Sequence, residues 1–173
     1  MHPALALAKR KLDDTRIEFD QVLAIEAEII PSIAEKNSQA ARIAKNSLRA
    51  TSIEGVYTGV EGVLKEILTV IDGEVFAGSE GWHKSLLTQA RAPNEPKGRG
   101  SIISEATFEL LDKLRAFRHV EHNVYRHTLR ETDVEENLEL MKQAFPNVEA
   151  EVEEFFKDYG NDDRQDDTPG PKP

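Results

Sequence analysis

The stretch FRHVEHNVYRH, Phe117 to His127, holds three of the five histidines of this chain together with Arg118 and Arg126. Imidazoles change protonation near neutral pH and guanidinium groups clamp anionic oxygens, so the combination suits proton transfer beside a phosphate. In a helix, at about 100° per residue, Leu110, Leu114, Phe117 and Val124 share one apolar stripe that faces the core. Arg118, His122 and Tyr125 then fall within about 60° of one another on the flank of that stripe, with Arg115 and Arg126 just beyond. Side chains at such a border are held by packing and still reach a ligand. Glu121 projects into the apolar stripe itself, either as a buried acid paired with one of these cations or because the stripe opens onto a cleft or a partner.

Three readings of the histidines stand side by side. His119 and His122, at i and i+3, have a spacing that could bind zinc or nickel, but no carboxylate joins them on that face and the adjacent arginines repel a cation. No metal and no other cofactor is therefore expected. A solvated helix face without chemistry needs nothing further. A phosphodiester site would use arginine to clamp the phosphate and stabilise developing charge, while a histidine moves the proton.

The elements that must position these residues all read as helices. Ile17, Val22, Ile25, Ile29 and Ile33 mark Leu12 to Lys36 as an amphipathic helix that Pro31 kinks or interrupts. A second helix runs from about Ser38 to Ile71, on Ile43, Leu48, Ile53, Val56, Val60, Val63, Leu64, Ile67 and Leu68, and stops at Asp72-Gly73. Within it Gly55, Gly59 and Gly62 stand at i, i+4 and i+7; each costs roughly 1 kcal/mol against alanine, so three on one face predict a closely packed neighbouring helix. GWHKSLL, Gly81 to Leu87, starts a short helix bearing the only tryptophan, and ARAPNEPKGRG, Ala90 to Gly100, is a loop by composition. Ser104 is a good N-cap for a helix from about Glu105 to Arg126. Thr132 with Glu135 forms a capping box for a last helix that reaches about Tyr159 and bends at Pro146. There is no internal repeat and no strand-period segment. The expected fold class is all-α, an antiparallel bundle of four long helices plus a short one.

A length of 173 residues fits one domain, expected over 1–159; the tail 160–173, GNDDRQDDTPGPKP, has nothing to bury and is expected to be disordered. There is no cysteine, which excludes disulfides and thiolate metal sites. The apolar run in MHPALALAKRKLDD precedes its basic residues, the wrong order for a secretory signal, and no apolar stretch approaches the roughly 20 residues of a membrane span. A cytoplasmic protein with no membrane partner is expected. The net charge of -10 argues against a broad nucleic-acid surface. Its distribution is uneven, however: Lys113 to Arg130 carries five Lys/Arg against Glu121, whereas Glu131 to Asp167 carries fourteen Asp/Glu against three Lys/Arg. A local anion site beside an acidic arm is compatible with that partition.

The order IEGVYTGVEGVLKEIL, GWHKSLL and ISEATFELLDKLRAFRHVEHNVY resembles the HepT-like branch of the HEPN superfamily, over about Ile43 to Glu154. The resemblance implies an all-α protein of a bacterial toxin-antitoxin or defence locus. It implies a metal-independent ribonuclease, working as a homodimer whose two signature helices build one composite cleft. It further implies an RNA substrate and a small nucleotidyltransferase of the MNT type as antitoxin, which in some systems adenylylates the signature tyrosine. The signature is Arg, a polar residue, three more, His, one more, Tyr. Arg118 matches the arginine, His119 the polar residue and Tyr125 the tyrosine. Asn123 stands where the catalytic histidine is expected, and asparagine exchanges no proton near neutral pH. His122 lies one residue early on the flank of Arg118, and Arg115 with His122 satisfies a looser Arg, six residues, His spacing. Arg115 and Arg126 are supporting cations. On the same resemblance the glycine face lets the second helix approach the signature helix, and Trp82 with His83 packs near its end. Two functions follow: a ribonuclease toxin with Arg118 and His122 or His119 as its chemistry, or a non-catalytic HEPN subunit that binds a partner, nucleotide or RNA.

Overall fold

The computed structural model describes residues 3–74, 81–123 and 129–162; for 119–123 and 160–162 it describes the backbone alone. After a short 3-10 turn at Pro3–Leu5, helix α1 covers Ala6–Ala24 and passes through one π turn, Ile25–Ile29, into α2, Ile30–Ala34. The π turn is the local answer to Pro31. Proline has no N–H to donate to a carbonyl four residues back, and the chain widens just ahead of it, with the Ile30 N–H donating to the Ile25 carbonyl. The expected interruption therefore takes the form of a bulged but continuous helix.

Helix α3 covers Gln39–Asp72. Ser38 Oγ accepts from the Ala41 N–H at 3.1 Å, and Gly73, at φ 75°, ends the helix in the left-handed conformation that glycine adopts without penalty. Helix α4, Trp82–Arg91, is the short one. Helix α5 covers Glu105–Asn123 and starts as expected, with the Thr107 N–H donating to Ser104 Oγ at 3.2 Å. Helix α6 covers Glu131–Asp162, running past Tyr159 with Pro146 inside it. It begins one residue before Thr132, so the expected capping box does not form. Glu131 is drawn to Lys45 of α3, and Arg130 reaches forward to Asp133 at 2.8 Å.

Among the described residues the fold is all-α, four long helical segments and a short one, as the sequence predicts. Ion pairs Lys9–Glu153 and Arg16–Glu149 set α1 antiparallel to α6, and Lys11–Glu66 sets it against α3. Lys45–Glu131 and Arg49–Glu135 show α3 and α6 running side by side in one direction. One continuous core joins Leu12, Phe19 and Val22 of α1 to Ile53, Val60, Leu64 and Leu68 of α3, Leu86 and Leu87 of α4, Leu111, Leu114 and Phe117 of α5, and Leu138, Phe145 and Val152 of α6.

Three expectations need correction. Ile17 and Ile29 are 57% and 47% exposed, and Ile43 is exposed as well. The core face of α1 is instead Leu5, Ala8, Leu12, Thr15, Phe19 and Val22, a face set by what it must fit on α3. The glycine face meets α1 rather than the signature helix α5: a Cβ on Gly59 would lie 2.5 Å from Thr15 Oγ1, and one on Gly55 would overlap Glu18. The segment after α4 is more than a loop. Asn94 and Arg99 pair across a tight turn, and the Arg99 guanidinium, with its side chain 2% exposed, grips Asp72 (3% exposed) through two nitrogens at 3.0 and 2.9 Å. The same guanidinium also donates to the carbonyls of Ala92, Gly100 and Gln89.

Candidate functional site around Arg118

In α5 the buried residues Thr107, Leu111, Leu114 and Phe117 fall on one stripe, with Phe108 and Leu110 packed at its margin. Arg118 follows Phe117 directly and lies at the border between core and solvent, its side chain 21% exposed. The stripe therefore holds the arginine where the angular count places it.

Two further elements meet at that guanidinium. On α3, Glu61 stands within the buried face formed by Tyr57, Val60 and Leu64, and its side chain is 3% exposed. A carboxylate so placed needs partners from neighbouring elements. On α4, Gly81 takes a positive φ of 87° just before the helix, and the first turn carries Trp82 and His83 with ring centroids 3.8 Å apart. Lys65 of α3 lies over the Trp82 ring at 5.6 Å. This stacking leaves the His83 side chain 28% exposed and directs Nδ1 to Glu61 Oε1 at 2.6 Å.

Arg118 closes the triangle. Its Nη1 donates to Glu61 Oε2 at 3.1 Å and lies 3.1 and 3.2 Å from His83 Nδ1 and Nε2. A point equidistant from both ring nitrogens at that range cannot lie in the ring plane without overlapping ring carbons, so Nη1 stands over the imidazole face. The in-plane direction of Nε2 is not taken by Arg118. Arg118 Nε is 3.9 Å from Glu54 Oε1 and makes no hydrogen bond among the described residues. Tyr57 lies beneath the cluster. Burial first, then the Glu61 carboxylate, pushes its phenol far above the ordinary range, against the smaller opposing charges of Arg115 and Arg118. The Tyr57 hydroxyl makes no hydrogen bond of ordinary geometry among the described residues.

In the tautomer that serves Glu61, Nδ1 carries the hydrogen and Nε2 is the basic nitrogen. A carboxylate holding an imidazole, with a guanidinium on the ring face, is equipped to bind an oxyanion and exchange a proton next to it. Among the described residues no group of three or more His, Asp or Glu is arranged to hold a metal ion.

Of the residues singled out from the sequence, Arg118 joins this cluster. Arg115 is half-buried and turns to its own helix, donating to Asp112 at 2.7 Å. His119, Glu121, His122 and Asn123 lie on the backbone of α5 with side chains outside the described residues, and Val124, Tyr125, Arg126 and His127 lie outside them altogether. Glu61, His83 and Tyr57 were not legible as a site. Glu61 offers one sequence signal, an acid one turn beyond Tyr57 and one turn before Leu64 in an otherwise apolar face; His83 was expected, with Trp82, to pack near the end of α5, as it does, but not as part of a site.

A family profile described as HepT-like protein matches residues 49–159, well over half of the chain, and the match takes in Glu61, His83 and Arg118. Neither a curated protein nor a solved structure gives a significant match. The profile runs through α3, α4 and α5, and the chain belongs to the HepT-like protein family.

Proposed function

We propose that this protein is a metal-independent ribonuclease of a bacterial toxin-antitoxin or defence system, in which Arg118 binds the scissile phosphate and an imidazole moves the proton. The observation that carries the reading is the position of Arg118: held at the core border, against an imidazole and a buried carboxylate, with its side chain partly open to solvent. A guanidinium so held stabilises charge that develops on phosphate oxygens without first having to be ordered. In the same reading the protein acts as a homodimer with the α5 helices forming a shared cleft, a small nucleotidyltransferase is the antitoxin, and Tyr125 is the acceptor for its adenylyl group. The test is cleavage of RNA by the purified full chain in the presence of a chelator, beside Arg118→Ala. Cleavage is expected in the wild type and a loss of about 100-fold or more in the variant; RNA that stays intact with the wild type after prolonged incubation sinks the reading.

A second reading, a non-catalytic subunit that binds a nucleotidyltransferase or RNA, is favoured by Asn123 at the histidine position and by the two carboxylates, Glu61 and Glu54, that already face Arg118. Asn123→His separates the two. Cleavage gained by the variant where the parent has none marks a competent scaffold that has been switched off, and no gain marks a binding role.

A further inference from the structure

We infer that His83 is the proton-transfer group of this site, with Glu61 as the residue that positions it; the inference rests on the ribonuclease reading above. The signature helix lacks its histidine at Asn123, and proton transfer near neutral pH calls for a group that titrates there. The structure brings an imidazole to Arg118 from a different element. His83 meets the geometric requirements of such a group. Its Nδ1 is fixed by a carboxylate at 2.6 Å, which sets the tautomer and aims Nε2. Its ring is packed against Trp82 and against the Arg118 guanidinium, which limits its rotation. Its side chain is 28% exposed, so a substrate can reach it, whereas Glu61 at 3% cannot be reached and acts through the two groups it holds, His83 and Arg118. Nε2 is 3.2 Å from Arg118 Nη1, so a phosphate held by the guanidinium has its neighbouring ribose hydroxyl within range of that nitrogen.

The step balances without a further reactant. Nε2 takes the proton of the ribose 2'-hydroxyl as the 2'-oxygen forms a bond to phosphorus. The bond from phosphorus to the 5'-oxygen breaks, its electron pair stays on the leaving oxygen, that oxygen takes a proton from water, and the hydroxide left behind takes the proton from Nε2, restoring both the water and the histidine. The products are a 2',3'-cyclic phosphate and a 5'-hydroxyl end. Arg118 carries the negative charge on the non-bridging oxygens throughout. Around the histidine, α3 presents Glu61, with Glu54 and Tyr57 beside Arg118 and Glu61 and with Lys65 over Trp82, and α5 presents Arg118 with Arg115 one turn back.

The experiment uses the full chain and a defined RNA oligonucleotide in chelator, with His83→Gln, His83→Gly, Glu61→Gln and Arg118→Ala. Wild type is expected to leave cyclic phosphate ends. His83→Gln keeps a hydrogen bond to Glu61 but moves no proton, and is expected to lose about 100-fold or more in kcat with KM changed by less than about threefold. Added imidazole restores part of the activity of His83→Gly and none to Arg118→Ala. Glu61→Gln is expected to lower kcat with KM changed by less than about threefold, whereas a merely structural loss would also lower the amount of folded protein measured by circular dichroism. Should His83→Gly fail to fold by circular dichroism, His83→Gln carries the test. Wild type that cleaves while His83→Gln stays within about threefold of it overturns the role of His83 and leaves the ribonuclease reading standing. An imidazole-rescued loss at His122→Gly in place of His83→Gly does the same. Wild type that cleaves nothing removes both.

Discussion

Tyr57 shows how a single side chain near the site responds to pH. Below the ordinary phenol pKa of about 10 it is protonated whether the chain is folded or not, and it adds no pH dependence. Above that, the unfolded chain releases the proton while the folded protein, by burial and by the Glu61 charge, retains it, so stability falls as pH rises. Tyr57→Phe removes this alkaline loss and also removes a buried hydroxyl that makes no hydrogen bond of ordinary geometry among the described residues. The variant is expected to be equal to wild type or up to about 1 kcal/mol more stable at neutral pH, with a wider advantage near pH 11. Urea midpoints at the two pH values measure it; an advantage that does not widen at high pH counts against it. At this level the sequence revealed one member of the cluster. Arg118 was legible because its relation to the stripe of Leu114 and Phe117 is a matter of helical angle alone. Glu61 and His83 were not, because what joins them to Arg118 is the meeting of three helices distant in the chain.

The close meeting of α1 and α3 separates three glycines that look equivalent in sequence. A Cβ on Gly59 would lie 2.7 Å from Thr15 Cγ2 and 3.1 Å from Thr15 Cβ, atoms fixed close to the α1 backbone, so Gly59→Ala forces the helices apart. A Cβ on Gly62 meets nothing nearer than Lys11 Cδ at 4.0 Å. Gly59→Ala is expected to destabilise by about 1–3 kcal/mol, and Gly62→Ala to stabilise by about 0.5–1 kcal/mol through helix propensity. Chemical denaturation of the two variants gives the signs, and equal signs would refute this account of the interface. At Gly55 the obstructing atoms are the far end of the Glu18 side chain, which can swing away. The helices themselves were legible from period and caps, Ser38, Gly73 and Ser104 among them. The buried face of α1 was not: β-branched isoleucines suggested one side, while the need for Thr15 to seat on Gly59 selected another. The start of α6 was likewise moved by a tertiary contact, the attraction of Glu131 to Lys45.

For the molecule as a whole the net charge of -10 limits how RNA can be held. Several basic side chains already bridge helices: Lys9 to Glu153, Arg16 to Glu149, and Arg49 to Glu26 and Glu135. Such exposed or partly exposed pairs add little stability singly, but they leave fewer cations for phosphates. RNA binding is therefore expected to engage about two or three phosphates, giving a slope of log K against log salt of about -1.5 to -2.5 by fluorescence anisotropy; a slope of about -6 or steeper would mean a wide cationic track. Among the described residues no helix is long and apolar enough to cross a membrane. The segment between α4 and α5 carries a different kind of consequence. Its prolines, glycines and basic residues make it, on paper, an inviting target for trypsin. In the folded protein Arg99 spends its whole guanidinium on Asp72 and three carbonyls. A protease that must draw that side chain into its own pocket has first to unfasten α3 from the loop, so the Arg99–Gly100 bond should outlast those at exposed basic residues in a timed digest.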